Sequence, residues 1–292
     1  ALANGHACVQ ASGGGVICWG SNDRCEAGKL PTPDDYRPTP VAGASAGFEG
    51  VTVGCFSPSH TTCAIKASTG TPFCWGSNIN GQVGHDKATD TKLDGGGICG
   101  ATPIAVMAPS GAGALTEITK VSFGDQSACG LTRGGVAYCW GANLYGAFGT
   151  IDFNTATPKP QQVPVAAQLV NISGEFTHQC ATAADLSAWC WGSNNMGELG
   201  RGTAQNAGDA GAPCQYGRIC GVPAAIPALK AKDIAAGAEF TVALADDGTV
   251  WAWGANDLGQ LGHLPRTSRD QDCGSDPSRP CGPTPTRVPA LP

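Results

Sequence analysis

Short stretches of alternating apolar and polar residues are the main pattern along the chain. "LVNIS" from Leu169 alternates as a half-buried strand does, and the short stretches "QCAT" from Gln179 and "AWCWG" from Ala188 follow it across turns. "VPAAIPALK" from Val222 predicts an outer strand, because proline on an edge strand costs no ladder hydrogen bond. No window keeps a 3.6-residue period, so we predict strands and no helix.

This set of four predicted strands recurs along the chain. The phrase "CWGSNNMGELGRG" from Cys190 has four relatives, and spacings of 56, 65, 51 and 62 residues separate the tryptophans of the five copies, which are Trp19, Trp75, Trp140, Trp191 and Trp253. A period of this size is typical of propellers, solenoids and arrays. Four strands per repeat predict an all-β propeller of four-stranded blades with five repeats, forming a single domain over residues 1–292.

The tryptophan phrase also predicts local structure. Each Trp should lie in the third strand and pack between neighbouring blades, and the glycines that follow should allow a tight loop. One asparagine in each loop is expected to hold an Asx-type turn; these are Asn22, Asn78, Asn143, Asn194 and Asn256.

Composition excludes two classes of partner. Charged residues make up 14% of the chain and the formal net charge is −6, with no run of Lys or Arg. The basic footprint of a nucleic-acid-binding protein is therefore missing. No apolar stretch approaches the roughly 20 residues of a membrane helix, so we expect no membrane insertion.

The fifteen cysteines predict disulfides that join the second and third strands of a repeat. Cysteines ten or eleven residues apart flank a turn in four repeats, and opposed residues in an antiparallel pair come close enough to bond. The pairs are Cys8 with Cys18, Cys63 with Cys74, Cys129 with Cys139, and Cys180 with Cys190. In the fifth repeat, we assign Ala243 and Ala252 to the two cysteine positions. Replacement of both cysteines in the same repeat is expected if the two are bonded to each other. Buried free thiols are the alternative.

The remaining cysteines lie in loops. Cys214 with Cys220 and Cys273 with Cys281 would each close an insertion, and we pair Cys25 with Cys55 across blades, which leaves Cys99 unpaired or intermolecular. So many cysteines favour an oxidising compartment. The beginning "ALANGHAC" suits the processed end of a secreted protein, or a trimmed chain.

The phrase W-G-x-N-x-x-G-x-x-G, preceded by G-x-x-x-H, resembles the repeat of the regulator of chromosome condensation family in all five copies. The resemblance implies a β-propeller, usually of seven blades, whereas five repeats are present here. His178 matches the family's histidine, His6 and His60 match approximately, and Ser127 and Thr241 replace it. Composition and cysteine content favour a secreted, bacterial-type member.

No catalytic or cofactor motif accompanies the repeats. The sequence has no G-x-S-x-G, H-E-x-x-H or P-loop pattern, so we predict a protein that is not an enzyme and needs no cofactor or metal. His6, His60 and His178 fall at repeat turns, where capping or packing is expected. His85 and His263 follow equivalent loops, where a shared metal is the alternative.

Loops of varying length on the repeated framework are the expected binding surface. The candidate contact residues are the aromatic or large apolar side chains of these loops: Tyr36, Tyr145, Phe148, Phe153, Met196, Tyr216 and Leu258. The alternative is that these side chains pack under their own loops and are buried. We predict a non-enzymatic extracellular protein-binding or adhesion module with a protein partner. The alternatives are a self-assembling surface-layer or filament subunit, a secreted inhibitor resembling the propeller-type β-lactamase inhibitor, and a guanine nucleotide exchange factor, which the cysteines oppose.

Overall fold

The protein is described by a computed structural model covering residues 5–31, 36–54, 60–94, 96–202, 204, 212–214, 219–273 and 279–289. The chain divides into two compact units, which are described separately. Unit 1 comprises residues 1–143 and 154–162, and unit 2 comprises residues 144–153 and 163–292. The assignment of one domain to residues 1–292 stays a prediction.

Unit 1 contains three antiparallel sheets. The first sheet has the order β1-β2-β3, with β1 His6–Gln10, β2 Val16–Gly20 and β3 Thr39–Pro40. The second has the order β4-β5-β6-β8-β7, with β4 Phe48–Val53, β5 Thr61–Lys66, β6 Thr71–Ser77, β7 Thr91–Lys92 and β8 Ile98–Ala105. The third is a four-stranded meander of β9 Ile118–Phe123, β10 Ser127–Thr132, β11 Ala137–Ala142 and β12 Ala156–Gln162.

Unit 2 carries the fourth and fifth repeats. Its strands are β13 Leu169–Glu175, β14 His178–Ala183, β15 Ser187–Ser193, β16 Ala212–Pro213, β17 Ile219–Ala236, β18 Phe240–Ala245, β19 Val250–Ala255, β20 Gln271–Cys273 and β21 Arg279–Arg287. The long strand β17 pairs with β15 near its beginning and with β18 near its end. One strand therefore ends the fourth repeat and begins the fifth.

The predicted all-β fold of four-stranded blades is confirmed. Within the described residues, the helical structure is a 3₁₀ turn at Lys87–Thr89. The described part of the chain includes no helix with the length and hydropathy that crossing a membrane would require.

Disulfides join the second and third strands in four repeats, in agreement with the predicted hairpin pairing. Cys129 lies opposite Cys139 in the ladder, with Cα atoms 4.0 Å apart, and Cys180 lies opposite Cys190 at 4.1 Å. The corresponding bonds join Cys8 to Cys18 and Cys63 to Cys74, and two loop disulfides join Cys214 to Cys220 and Cys273 to Cys281.

The apolar replacement in the fifth repeat is shifted by one residue from the prediction. Ala252 lies opposite Val242, and Ala243 lies opposite Trp251. Ala252 directly precedes Trp253, as Cys190 directly precedes Trp191. The pair that takes the place of the disulfide is therefore Val242 with Ala252.

The predicted pairing of Cys25 with Cys55 is wrong, as is the assignment of Cys99 as unpaired. Cys25 is bonded to Cys99, with Cα atoms 5.9 Å apart, and Cys55 lies outside the described residues. The start of β8 comes alongside the loop of the first repeat, where a Cβ built on Gly97 would lie 2.6 Å from the Arg24 guanidinium. Sequence spacing gives no sign of this approach, because 74 residues separate the two cysteines.

Buried tryptophans join successive repeats inside each unit, as predicted. Trp75, Trp140, Trp191 and Trp253 are fully buried. In unit 1, the indole Nε1 of Trp75 donates a hydrogen bond to the Glu26 carbonyl at 2.9 Å, and in unit 2 that of Trp253 donates to the Glu198 carbonyl at 2.8 Å. Each acceptor belongs to the loop of the preceding repeat, so the tryptophan fixes that loop against the next sheet.

Candidate functional site

One asparagine side chain closes the loop after the third strand in the first, second, fourth and fifth repeats. In the last repeat, Asn256 Oδ1 accepts a hydrogen bond from the Leu261 amide at 3.1 Å, and Asn256 Nδ2 donates to the Asp270 carboxylate at 3.1 Å. The donating amide lies five residues after the asparagine, whereas an Asx-type turn, as predicted, would use the amide two residues after it. The same bond joins Asn22 to Ala27, Asn78 to Val83, and Asn194 to Leu199.

A second side chain folds back onto the same loops. Gln82 and Gln260 each accept a hydrogen bond from the amide two residues earlier, at 2.9 and 2.8 Å. Glu26 and Glu198 accept the equivalent bond, both at 2.7 Å. Because neutral glutamine closes two of the loops, the loop itself does not require the negative charge of the two glutamates. Glu26 lies beside two histidines, and the Glu198 carbonyl accepts a hydrogen bond from the threonine that contacts His178.

The predicted loop contacts divide into exposed and buried residues. Tyr36 is 69% exposed and Leu258 is 87% exposed, as predicted, and Tyr145 is half-buried near the Phe176 ring. Tyr216 lies outside the described residues. The prediction of exposure is wrong for Phe148, Phe153 and Met196, which are all buried.

The buried residues fold under their own loops. Met196 packs with Ala255 and with the disulfide-bonded Cys273 and Cys281 in unit 2. Phe153 lies against Gly146, where an added Cβ would be 3.3 Å from its ring. These side chains fill the interior left by Gly-rich loops, so they support the binding surface without forming it.

The loop of residues 257–270, here called the Leu258 loop, presents the most exposed apolar side chains. Leu258 is 87% exposed and Leu264 is 79% exposed. The loop is held at both ends by the Asn256 to Asp270 bonds, and the Leu258 amide is bonded to Gln260 Oε1 at 2.8 Å. A fixed backbone that displays two leucines is a candidate protein interface.

Two histidine clusters lie where successive repeats meet. The Glu26 cluster, in unit 1, consists of His6, Glu26 and His60, and one donor atom of each lies within 4.8 Å of the other two. Within the described residues, this cluster is the one place where three His, Cys, Asp or Glu side chains lie close enough together to hold a metal ion. Glu26 and His6 are buried, and the His60 side chain is 19% exposed, with Nδ1 3.7 Å from Glu26 Oε1.

Thr62 fixes the tautomer of His6. The Thr62 hydroxyl donates its one hydrogen to the Glu26 carbonyl at 3.0 Å, so it can only accept from His6 Nε2, 3.1 Å away. His6 therefore carries its proton on Nε2 and has a lone pair on Nδ1, which has no hydrogen-bond partner in the described part of the chain. Burial, together with nearby His60, lowers the pKa of His6 to about 4, so the ring is neutral at pH 7.

The Glu198 cluster, in unit 2, consists of His178, Glu198 and Glu239. Its framework repeats the first: His178 Nε2 lies 2.8 Å from Thr241 Oγ1, which donates to the Glu198 carbonyl at 3.1 Å. Burial lowers the pKa of His178 to about 3. Burial raises the pKa of Glu198 to about 7, and the charge of Glu239 adds to this.

Arg279 balances the acidic side of the Glu198 cluster. Its Nη2 donates to Glu239 Oε2 at 2.6 Å and to Asp257 Oδ2 at 3.1 Å. The guanidinium therefore provides the positive charge beside Glu239, and it connects the cluster to the beginning of the Leu258 loop.

The strand register corrects the assignment of His60. His6 lies opposite Gly20 and His178 opposite Gly192, so these two histidines are equivalent, as predicted. In the second repeat, Thr61 lies opposite Gly76, and His60 precedes it. His60 is therefore not the repeat's histidine; it immediately precedes β5 and lies beside Glu26 of the preceding repeat.

His85 and His263 each contact an aspartate of their own loop. His85 Nε2 lies 2.7 Å from Asp90 Oδ1, and His263 Nε2 lies 3.7 Å from Asp270 Oδ1. Sequence reasoning did not identify these partners, because they lie five and seven residues further along each loop. The expectation that no metal is bound here stays a prediction.

Comparisons with known proteins find similarity to one repeat family over part of the chain. Two family models, both described as regulator of chromosome condensation (RCC1) repeat, match the chain. One matches residues 118–147 and 231–260, and the other matches residues 187–244 and 247–292.

Curated relatives share the repeats over part of their length. The E3 ubiquitin-protein ligase HERC2 of Homo sapiens is 27% identical over 208 residues, which are 69% of this chain and 4% of the ligase. The ultraviolet-B receptor UVR8 of Arabidopsis thaliana is 28% identical over 200 residues, 67% of this chain and 40% of the receptor. The chain therefore spans well under half the length of either relative.

Solved structures show the same fold. Prp20p from Saccharomyces cerevisiae superposes with a TM-score of 0.69 at 18% identity, covering 99% of this chain and 62% of Prp20p. Human WBSCR16 gives a TM-score of 0.73 at 17% identity, covering 99% of this chain and 66% of WBSCR16. At these identities the likeness concerns fold alone. The matched segments, residues 118–147 and 187–292, are similar to the regulator of chromosome condensation (RCC1) repeat.

Proposed function

We propose that this protein is a non-enzymatic, extracellular protein-binding module, and that the Leu258 loop is its main contact surface. The observation that carries the proposal is the display of Leu258 and Leu264, at 87% and 79% exposure, on a loop fixed by Asn256 and Asp270. A preorganised loop loses little conformational freedom on binding, so its apolar contacts contribute directly to affinity.

The exposed groups suit a protein partner. Burial of a leucine side chain contributes about 1.5–3 kcal/mol, so two leucines seated in a pocket could provide a large share of a micromolar affinity. A net charge of −6 opposes binding to a polyanion. Among proteins of similar fold, the Prp20p structure is described with its binding to Gsp1p and histones, and another structure shows Kap60 bound to yeast RCC1.

The disulfides support the extracellular part of the proposal. The structure joins fourteen cysteines in seven bonds, four of them within strand hairpins. Bonds of this number persist in oxidising compartments and are rare in the reducing cytosol.

The test compares capture from the native extracellular medium and from a cell lysate. The bait proteins are the wild type, Leu258→Ser with Leu264→Ser, and the control Val170→Ser, which alters a residue that is 57% exposed on β13. We expect a partner from the medium that binds the wild type and the control, and whose Kd rises at least about tenfold with the loop variant.

Equal capture by all three baits would overturn the assignment of the Leu258 loop, and partners found only in the lysate would overturn the extracellular assignment. Concentration-dependent light scattering that the loop variant abolishes would instead identify a second copy of this chain as the occupant of the loop, in place of a different protein.

A further inference from the structure

We propose that the Glu26 cluster binds a divalent transition-metal ion of the zinc class, with His6 Nδ1, His60 Nδ1 and Glu26 Oε1 as its ligands. Neither the RCC1 repeat nor the proposed binding function requires such a site. The starting observations are that His6 Nδ1 is buried without a hydrogen-bond partner, and that one donor atom each of His6, His60 and Glu26 lies within 4.8 Å of the other two.

The donor atoms have the chemistry that zinc selects. Neutral imidazole nitrogen and carboxylate oxygen are ordinary zinc ligands, and the Thr62 contact leaves His6 Nδ1 unprotonated. Metal-binding histidines characteristically donate their other ring N–H to an oxygen acceptor, which fixes the tautomer and the ring orientation. The bond from His6 Nε2 to Thr62 Oγ1 is of this kind.

Glu26 is held in place while it keeps room for a further ligand bond. The Ser21 hydroxyl donates to Oε1 at 2.9 Å and the Arg24 amide donates to Oε2 at 2.7 Å. Each carboxylate oxygen can accept two bonds, so Oε1 keeps a lone pair. His60 Nδ1 is 3.7 Å from Oε1, which is too long for a hydrogen bond between them.

A small contraction would bring the three atoms into a zinc coordination sphere. Zinc bonds of about 2.0–2.1 Å in tetrahedral geometry place ligand atoms roughly 3.4 Å apart. His60 Nδ1 and Glu26 Oε1 are 3.7 Å apart, and one donor atom of each of the three residues lies within 4.8 Å of the others, so side-chain movements on the order of 1 Å are needed. His60 immediately precedes β5 and its side chain is 19% exposed, so the cluster adjoins the protein surface on the His60 side.

The other repeats of the chain provide an internal comparison. In the second repeat Gln82 replaces the glutamate, and in the Glu198 cluster Glu239 stands where His60 does and already pairs with Arg279. A bound arginine excludes a second cation from the same carboxylate. The metal site is therefore specific to the junction of the first and second repeats.

The test is titration of the oxidised protein with zinc after treatment with a chelator. All samples carry Cys55→Ser, so that a thiol cannot supply a ligand. The variants are Glu26→Gln, which keeps the loop bond that Gln82 makes natively, and His60→Gln at the partly exposed position. Glu198→Gln is the matched control in unit 2.

Calorimetry should show one zinc ion per chain for the Cys55→Ser parent and for Glu198→Gln. Loss of a ligand should weaken binding by more than the roughly tenfold that loss of an outer-shell partner costs. Cobalt bound at the same site should give the strong visible absorption of a tetrahedral complex with the parent and not with His60→Gln.

Three results would overturn the site: no stoichiometric zinc binding by the parent, unchanged affinity in both Glu26→Gln and His60→Gln, or an equal loss in Glu198→Gln. Circular dichroism without metal checks folding. If Glu26→Gln unfolds, the partly exposed His60→Gln decides the result alone.

Discussion

The Glu26 and Glu198 clusters share one framework and differ in one key side chain. In each, a tryptophan indole and a threonine hydroxyl donate to the carbonyl of a buried glutamate, and the same threonine contacts a buried histidine. The residue before the second strand of the next repeat is His60 in unit 1 and Glu239 in unit 2. The repeat thus keeps its backbone bonds while this position sets the charge.

The buried glutamates of the two clusters, Glu26 and Glu198, therefore have neighbours of different charge. At the Glu26 cluster the neighbours are two imidazoles, which provide donor atoms for a cation. At the Glu198 cluster, burial raises the pKa of Glu198 and a second carboxylate, Glu239, adds to this, while Arg279 pairs with Glu239. The comparison separates what the repeat needs for folding from what one junction adds to it.

The largest loss of stability is expected when the tryptophan of either cluster, Trp75 or Trp253, is removed. Trp75→Ala and Trp253→Ala each delete a fully buried side chain and leave the cavity of an indole, so we expect the free energy of unfolding to fall by about 3–5 kcal/mol. Trp19→Ala, at a partly buried position, is the control and should cost less. Urea unfolding followed by far-ultraviolet circular dichroism measures this, and a loss under about 1 kcal/mol for Trp253→Ala would contradict the anchor.

The Glu198 cluster should make stability depend on pH. Folding raises the pKa of Glu198 from 4.5 to about 7, so its stabilising contribution is complete below about pH 4.5 and is lost as the pH rises through about 7. Relative to Glu198→Gln, the wild type should lose on the order of 3 kcal/mol between these limits.

Urea unfolding of both proteins across this pH range tests the prediction. Glutamine is expected to keep the loop closed, because Gln260 makes the same backbone bond in the fifth repeat. Parallel pH profiles for the two proteins would show that Glu198 has an ordinary pKa in the folded state.

The smallest expected effect concerns Arg279. Arg279→Gln removes the positive charge beside Glu239 and Asp257, and hydrogen bonds to charged groups typically contribute about 1.5–3 kcal/mol. Because the guanidinium is 33% exposed, we expect a loss of about 1–2 kcal/mol at pH 7. The double variant Arg279→Gln with Glu239→Gln should recover much of it, and an additive loss in the double-mutant cycle would contradict the pairing.

The sequence predicted the features that repeat within short range. The five tryptophan phrases predicted the strands and the packing of Trp75 and Trp253, and the ten-residue cysteine spacing predicted the hairpin disulfides, because both depend on local strand pairing. The Cys25 to Cys99 bond depends on how one sheet approaches the loop of another, and no local pattern encodes that distance.

The Glu26 cluster could have been found only with the register of two successive repeats. Its sequence signal has two parts. Glu26 lies seven residues after Trp19, whereas Gln82 lies at the same distance after Trp75, and the first and second repeats each provide a histidine, His6 and His60. The burial of Met196 and Phe148 was missed for a different reason. Gly-rich loops leave interior space, and side chains of the same loop fill it.

The strand β17, Ile219–Ala236, also limits how the protein can be divided or recombined. Most repeat proteins can gain, lose or exchange a unit at the linker between two sheets. Here one strand, irregular around Ala228, is hydrogen-bonded to β15 at its beginning and to β18 at its end. A crossover within it would remove partners from both sheets at once, so the fourth and fifth repeats should be inherited together, and transplanting the Leu258 loop to another scaffold would require both.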